Sequence, residues 1–308
     1  MKFIRIPIAL FVMTVLFCDT AYCVGEVGET GATGLSFLKI SPTAQITSLG
    51  SGSTAYSTGS TAAWSNPALL VQNDERSTQV SHIEWIEGIR QEFAAFSTGS
   101  SIGHFGFGVN IFDSGDIDGR GLYGEDTGTY GIINAALSVS YAAQLKKGIA
   151  LGATFKKIFQ KMSSETANGY AIDFGITANT PLEGFSVACA ARNYGSMSKL
   201  KNESTKLPSD VVFGCAYTGM LPGIDRTYYL VGDYVIPKYG DSGARLGLEL
   251  EPVNRFKFRI GYRSDSDIED MSYGIGFNHE MFYFDAAYTP MKEGFDNAIR
   301  FTLGLSGF

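Results

Sequence analysis

The sequence predicts an all-β protein: an exported, closed barrel of about fourteen antiparallel strands that spans a bacterial outer membrane. Three observations predict it, namely an export signal, a period of two in apolar residues, and alternating short and long connections. The composition agrees, because 37 Gly, 22 Phe and 16 Tyr with only 18% charged residues suit a sheet that faces apolar surroundings.

The first residues have the layout of a secretory signal peptide. Lys2 and Arg5 form a basic start, an apolar run covers 6–17, and Ala21-Tyr22-Cys23 places small residues ahead of a cleavage point. The apolar run is shorter than the ~20 residues that a membrane-spanning helix needs. We therefore predict a signal peptide over 1–23.

Residues 24–76 are rich in small residues and show no strand period, so we predict a separate N-terminal segment there, ahead of a barrel over 77–308. The motif Asn66-Pro67-Ala68 lies near its end. Pro67 fixes its own backbone and disfavours helical geometry at Asn66, and the Asn66 side chain can bond to nearby backbone as in a turn. A simple entry turn into the barrel and a gating role are both open at this point.

From about residue 77 onward, apolar residues alternate with small or polar ones, which is the period of a β-strand. In one run Phe256, Phe258 and Ile260 alternate with Lys257 and Arg259. The predicted strands are 78–86, 89–98, 103–112, 129–144, 149–160, 169–179, 185–194, 209–219, 226–236, 243–251, 255–264, 271–279, 281–290 and 297–307.

A soluble β-sandwich also alternates, but two features argue against one. The second face of the strands is dominated by Gly, Ser and Thr where a water-exposed face would carry Lys, Glu and Gln. In addition, connections after even-numbered strands are short, whereas several after odd-numbered strands are long and polar, as in outer-membrane barrels. The long ones are predicted at 113–128, 161–168, 195–208 and 264–270.

Charged residues at alternating positions are predicted to line the lumen. On the late strands Glu249 is expected opposite Lys257 across a tight turn, and such cross-strand pairs stabilise modestly. A structural ion-pair network is favoured over a lining that contacts substrate. The full predicted inward set is His82, Glu84, Asp233, Arg245, Glu249, Lys257, Arg259, Asp285 and Arg300.

Two of the four cysteines fall in the predicted mature chain. A hairpin centred near residue 202 predicts that Cys189 and Cys215 lie directly opposite each other on the apolar face, where a disulfide is geometrically allowed. Two lipid-facing thiols without a bond are the favoured alternative. A lipoprotein anchor on Cys18 or Cys23 is disfavoured because a bulky residue precedes each one.

The segment before the barrel resembles the start of the PorV/PorQ family, within the wider FadL-like outer-membrane transport proteins. The resemblance is carried by the run Phe37-Leu38-Lys39-Ile40, by the following small residues, and by Asn66-Pro67-Ala68 shortly before the first strand. The chain departs from the family at Gln45, Leu49 and Leu69, where a basic residue, Met and Gly are usual. These departures affect subfamily membership more than the fold.

The resemblance implies that residues 24–76 fold inward as a short N-terminal plug. It also implies that the barrel passes hydrophobic or small organic molecules across the outer membrane. The alternative that it implies is a PorV-like, non-enzymatic subunit of type IX secretion that binds cargo or partner proteins at the cell surface. Expected partners are membrane lipid and a hydrophobic ligand, with secretion-machinery proteins under the alternative.

Other functional classes are disfavoured by what the chain lacks. The three histidines, His82, His104 and His279, are scattered and show no nucleophile–base motif, so no enzyme, metal site or cofactor is predicted. The net charge of -7 and the lack of a basic patch with interleaved aromatics argue against nucleic acid.

Overall fold

The structure is a computed structural model that describes residue 31, residues 33–221, residue 223 and residues 225–308. The predicted signal peptide lies outside the described residues. A closed antiparallel barrel of 14 strands forms the body, and its strands follow one another around the ring in chain order until the last pairs with the first. This confirms the predicted fold class and strand number.

All fourteen predicted strands are present, most within two or three residues of the predicted ends. The barrel strands are β1 (Ser77–Glu84), β2 (Arg90–Ser100), β3 (Gly103–Asp113), β6 (Ile132–Lys146), β7 (Ile149–Met162), β8 (Glu165–Asn179), β9 (Phe185–Met197), β12 (Asp210–Leu221), β13 (Arg226–Pro237), β14 (Gly243–Val253), β15 (Phe256–Arg263), β16 (Met271–His279), β17 (Phe282–Thr289) and β18 (Ala298–Ser306).

One prediction about the connections needs correction. The predicted long loop at 161–168 is a tight turn, because β7 and β8 pair as far as Met162 and Glu165. The connections after β3 and β9, at 114–131 and 198–209, are long as predicted. Each contains a small hairpin, β4 (Ile117–Arg120) with β5 (Asp126–Tyr130) in the first and β10 (Lys199–Leu200) with β11 (Glu203–Ser204) in the second.

The connections orient the barrel. Those between β6 and β7, β14 and β15, and β16 and β17 are tight turns, whereas those after β3 and β9 are long. Short turns face the periplasm and long loops face outward in outer-membrane barrels. Ser77 pairs with Ser306, so both barrel termini lie at the end with the short turns.

Large apolar side chains are exposed on the outer surface of almost every strand, for example Phe155, Phe174 and Phe301. The inner face carries small and polar residues, as on β1, where Ser77, Gln79 and Ser81 are buried. A sheet with an apolar exterior and no free edge suits lipid, because every backbone group is then paired within the wall. Among the described residues, no helix is long and apolar enough to span a membrane.

Residues 33–76, which we call the inner segment, lie inside the barrel and contain short helices joined by extended backbone. The α-helices are Ala44–Thr47 and Ala62–Ser65, and the 3-10 helices are Ser36–Leu38, Gly59–Thr61 and Pro67–Gln72. A further 3-10 turn, Ile86–Gly88, joins β1 to β2. Almost the whole of 43–70 is buried, so the barrel wall and this segment form one packed interior.

Candidate functional site

The inner segment crosses the lumen from the outer loops to the periplasmic rim. At its start the Gly34 amide donates to the Lys206 carbonyl (3.2 Å), in the long connection after β9. Near its end the Ser60 amide donates to the Ser77 hydroxyl (3.3 Å), at the first residue of β1. Between these points its backbone is bonded to the wall at several places, so the segment occupies the lumen along much of its height.

Asn66 holds the chain turn that precedes the barrel. Its backbone is extended, with φ −154° and ψ 108°, and its Oδ1 accepts from the Ala68 amide (3.0 Å), which caps the 3-10 helix Pro67–Gln72. Its Nδ2 donates to the carbonyls of Thr54 (2.9 Å) and Ile176 (3.3 Å). One buried amide therefore ties two stretches of the inner segment to β8, which is more than an entry turn requires.

Glycines in the wall form the seat of this motif. An added Cβ on Gly175 would overlap the Asn66 Oδ1, and one on Gly152 would overlap the backbone of Pro67 and Ala68. On the opposite side of the lumen, an added Cβ on Gly261 would overlap the Gly50 backbone, and one on Gly247 would overlap Leu49. The absence of side chains at these strand positions lets the backbone of the inner segment approach the wall directly.

A second anchor is Asp233 on β13. Its carboxylate accepts from the amides of Ser53 (2.9 Å) and Thr54 (3.0 Å) and from the Thr54 hydroxyl (2.8 Å). Gly214 on the neighbouring strand leaves room for Thr54 beside it. The sequence placed Asp233 on the inner face, and the structure shows that its partner is the inner segment.

The predicted charges of the late strands meet in a buried ladder. Arg259 donates to Glu249 (2.6 Å) and to Asp285 (2.5 Å), and Lys257 also contacts Glu249 (3.1 Å). The Tyr56 hydroxyl of the inner segment donates to Glu249 (3.0 Å). The expected register is off by two residues, because the turn is centred on Asn254-Arg255, with Val253 opposite Phe256. A bulge between Leu250 and Val253 then leaves Arg259 opposite Glu249.

A third group of charges lies at the outer end of the lumen, in the connection 264–270. Arg245 and Arg263 both donate to Asp265, Arg263 also pairs with Glu269, and Arg245 reaches the Ser51 carbonyl (3.3 Å). Burial alone would raise the pKa of Asp265, but the two guanidinium groups outweigh it and hold that pKa well below its usual range.

This low pKa predicts an acid-sensitive outer rim. Because the carboxylate is favoured in the folded state, the stabilisation is present above the unfolded pKa of ~3.9 and is lost as pH falls below it, on the order of 2–3 kcal/mol. Asp265→Asn should lower stability at pH 7 and flatten its dependence on pH below 4, measured by thermal unfolding in detergent. Asp270→Asn is the matched control, since Asp270 pairs with Lys292 near the surface. Equal pH profiles for wild type and Asp265→Asn would contradict the assignment.

Sequence reasoning missed a fourth cluster, on β7 to β12. Lys156 pairs with Asp173 (2.6 Å) and donates to the Asn193 side chain (2.8 Å), and its ammonium lies 4.5 Å from the Trp64 ring centroid. Arg192 pairs nearby with Asp210 (2.7 Å). Lys156 occupies an inward position in the alternation along β7, and this position could have predicted a lumen charge. The adjacent Lys157, which occupies an outward position, hides the alternation.

These cations surround a small polar cavity between the inner segment and the wall. Its volume is about 20 Å³, room for about one water molecule. Its charged lining consists of Lys39, Lys156, Arg192 and Arg245. No larger cargo fits beside the inner segment at this point.

The outer half of the lumen is filled differently, by an apolar cluster. Leu35, Phe37 and Leu38, at the start of the inner segment, pack with inward-facing side chains of the wall and with Leu207 from the loop after β9. The wall residues of the cluster are Phe93, Ala95, Ala136, Ile158, Ala167, Ala171 and Met197, with Phe112 and Leu200 at its edge. Apolar surface at the mouth of a lumen is where an apolar molecule would be accommodated.

Three predicted lumen residues have other environments. Arg300 points inward and is buried, but it donates to the Thr289 hydroxyl (3.2 Å) without a carboxylate partner among the described residues. The inward prediction for His82 and Glu84 is wrong, since the buried face of β1 consists of Ser77, Gln79, Ser81 and Ile83. His82 contacts Glu92 (2.6 Å) on the exterior, at the outer end of the wall where charge meets the membrane surface.

The predicted direct opposition of the two cysteines is also wrong. Cys189 pairs with Phe213, and Cys215 pairs with Val187, so the thiols lie two residues apart along the ladder. Both are on the outer face, where Cys215 packs with Phe185, Val187 and Tyr217. The pairing of β9 with β12 is centred at residue 201, one residue before the centre that the sequence suggested.

A closed antiparallel barrel with an apolar exterior and an internal N-terminal segment defines the class: the chain is an outer-membrane β-barrel. Comparison with solved structures shows the same fold in transport barrels. The toluene transporter TodX of Pseudomonas putida superposes with a TM-score of 0.60 at 11% identity, over 85% of this chain and 96% of TodX.

Two further structures agree. The monoaromatic hydrocarbon channel CymD gives a TM-score of 0.59 at 13% identity over 87% of this chain and 97% of CymD, and a FadL homologue of Pseudomonas aeruginosa gives 0.51 at 11% over 83% and 95%. The sequence itself matches no family model and no curated protein. The fold is therefore that of FadL-like barrels, and the narrower resemblance to PorV/PorQ stays a prediction.

Proposed function

We propose that this protein passes hydrophobic or small organic molecules across the outer membrane, with residues 24–76 acting as the plug. The observation that carries the proposal is the apolar cluster in the outer half of the lumen. There Leu35, Phe37 and Leu38 cover apolar wall residues that an apolar cargo could cover equally well. Displacing them exchanges one apolar contact for another, so the free-energy cost of opening for such a cargo is small.

The polar half of the lumen argues against a permanently open pore. The inner segment is fixed to the wall by hydrogen bonds from a few side chains, such as Asn66 and Asp233, and by backbone contact with glycines. TodX and CymD, which share the fold, are a toluene transporter and a monoaromatic hydrocarbon channel. The proposal assigns no catalytic step to the chain.

The experiment compares uptake of a radiolabelled fatty acid, a monoaromatic hydrocarbon and a small hydrophilic solute in cells without the protein, with it, and with a locked plug. The lock is Ala63→Cys with Gly106→Cys, because the Ala63 Cβ lies 2.9 Å from the position of a Cβ on Gly106, within a small shift of disulfide geometry. Cys189→Ser and Cys215→Ser remove the native thiols.

Wild type should speed uptake of an apolar solute, the oxidised lock should abolish that gain, and reductant should restore it. Apolar uptake equal to that of cells without the protein would overturn the proposal. Equal acceleration of the hydrophilic solute would also overturn it, in favour of a general pore.

A second candidate function, binding of a secretion partner at the cell surface, is favoured by one feature. The hairpin β4–β5 projects from the outer end, and at its tip Leu122 and Tyr123 are 90% and 92% exposed. Exposed apolar side chains on an ordered loop are common at protein interfaces. Affinity capture with wild type, but not with Leu122→Ser and Tyr123→Ser, of secretion-machinery subunits would favour this role over transport.

A further inference from the structure

The lipid-facing exterior carries an apolar trough across β6, β7, β8 and β9, with a volume of about 590 Å³. Its walls are large side chains, Tyr141, Leu151 and Phe174, and its depth comes from small residues between them, such as Ala153 and Ala191. The β-register places Ala153 between Tyr141 and Phe174. A cleft with large walls and a small floor is shaped to hold an acyl chain.

Two lysines stand at the periplasmic end of this trough. Leu145 belongs to its lining, and Lys146 and Lys147 follow it directly, at the turn between β6 and β7. Both are exposed, and neither has a carboxylate partner among the residues that the structure describes. Adjacent unpaired ammonium groups at the membrane surface attract lipid phosphates.

Two other troughs on the same exterior differ in charge. One, of about 370 Å³, lies between Val80, Ala94 and Phe301, and its ionisable lining residues are the His82–Glu92 pair. The other, of about 480 Å³, lies between Tyr273, Ala286 and Tyr288, and its one charged lining residue, Arg259, is paired with carboxylates of the lumen. Among the residues that the structure describes, neither trough ends in two adjacent lysines without an ion pair, so the trough over β6–β9 differs from the others in charge as well as in shape.

We propose that the trough over β6–β9, with Lys146 and Lys147, binds an anionic phospholipid of the inner leaflet. One acyl chain lies along Ala153, and the phosphate lies against the two ammonium groups. The geometry is consistent, because the trough occupies the half of β7 that is nearer the turn, and half of a bilayer core is about 15 Å. This site is on the outside of the wall and is independent of whatever the lumen transports.

The test is native mass spectrometry of delipidated protein in detergent, titrated with phosphatidylglycerol or with zwitterionic phosphatidylcholine. Wild type should bind the anionic lipid more tightly. With about 1 kcal/mol per lysine near a lipid surface, Lys146→Gln with Lys147→Gln should weaken its binding about 30-fold and leave phosphatidylcholine unaffected. Ala153→Phe should fill the trough and weaken binding of both lipids.

The matched controls alter the same chemistry elsewhere. Lys157→Gln with Lys161→Gln removes two outward-facing charges at the other end of β7, and Ala286→Phe fills the trough between Tyr273 and Tyr288. Neither should change the affinity for phosphatidylglycerol. Equal affinity of wild type for the two lipids would overturn the proposal, as would a larger loss in the Lys157 and Lys161 variant than in the Lys146 and Lys147 variant.

Discussion

Replacing Gly175 by valine should release the inner segment from the wall and open the barrel to ions. The new side chain would occupy the place of the Asn66 Oδ1 and press on the Pro67 ring. Asn66 cannot retreat without losing its bonds to Thr54 and to the β8 backbone. Overpacking of this kind costs about 1–3 kcal/mol. Displacement of the segment should produce stepwise ion currents across planar bilayers, whereas wild type should produce none.

The barrel itself should survive this change. Gly175 pairs with Gly152 and Ala190 through its backbone, and β-branched residues are favoured in strands. The matched control is Ala178→Val, on the outer face of the same strand. Protease cleavage within 33–76 should rise in Gly175→Val and not in Ala178→Val. If Gly175→Val conducts no ions and its inner segment resists protease as well as that of wild type, the positions of Asn66 and Pro67 do not depend on the glycine at 175.

The strands could be predicted from the sequence because lipid imposes a strict alternation. Each outward position must be apolar and each inward position must fit a packed lumen, so runs such as Phe256, Phe258 and Ile260 identify the strand and its faces together. The ends of the strands follow from the turns. The same alternation predicts which charged residues of the late strands face inward, and the structure has them on the inner face. They are Asp233, Arg245, Glu249, Lys257, Arg259, Asp285 and Arg300.

The prediction of inward-facing charges was wrong on β1, where charged residues lie on the outer face. His82 and Glu84 were predicted to face inward with the other charged residues, but they lie on the outer face near the outer end of β1, where the wall leaves the hydrocarbon. Parity alone would have placed them correctly, since Ser77, Gln79 and Ser81 have the small polar character of the inner face. The sequence of one strand does not show how deep each of its residues lies in the membrane.

The seat of the inner segment could not be predicted, because its contacts join residues that are far apart in sequence. The glycines at 152, 175, 247 and 261 were visible only as small residues of the inner face. Their partners, Asn66, Pro67, Leu49 and Gly50, became apparent once the segment was placed in the lumen. Likewise Lys156 and Asp173 lie on neighbouring strands, and the bulge that brings Asn193 to them follows no local sequence pattern.

Replacing Arg259 by methionine should cause the largest loss of stability in the barrel. Arg259 is buried and holds two carboxylates, Glu249 at 2.6 Å and Asp285 at 2.5 Å, which are themselves buried. Removing one partner of a buried ion pair leaves an uncompensated charge and costs about 3–5 kcal/mol. The measurement is urea unfolding in lipid vesicles, followed by tryptophan fluorescence.

Arg259→Met should leave Asp285 less well compensated than Glu249, and this difference makes the prediction specific. Glu249 keeps Lys257 (3.1 Å) and the Tyr56 hydroxyl (3.0 Å), whereas Arg259 is the ion-pair partner of Asp285 among the described residues. Adding Asp285→Asn to Arg259→Met should therefore recover much of the loss, and adding Glu249→Gln should recover less. Lys257→Met is the matched control, because Lys257 is more exposed and Glu249 retains Arg259 without it. If Lys257→Met costs as much as Arg259→Met, the ladder owes its stability to total charge and not to the buried contact between Arg259 and Asp285.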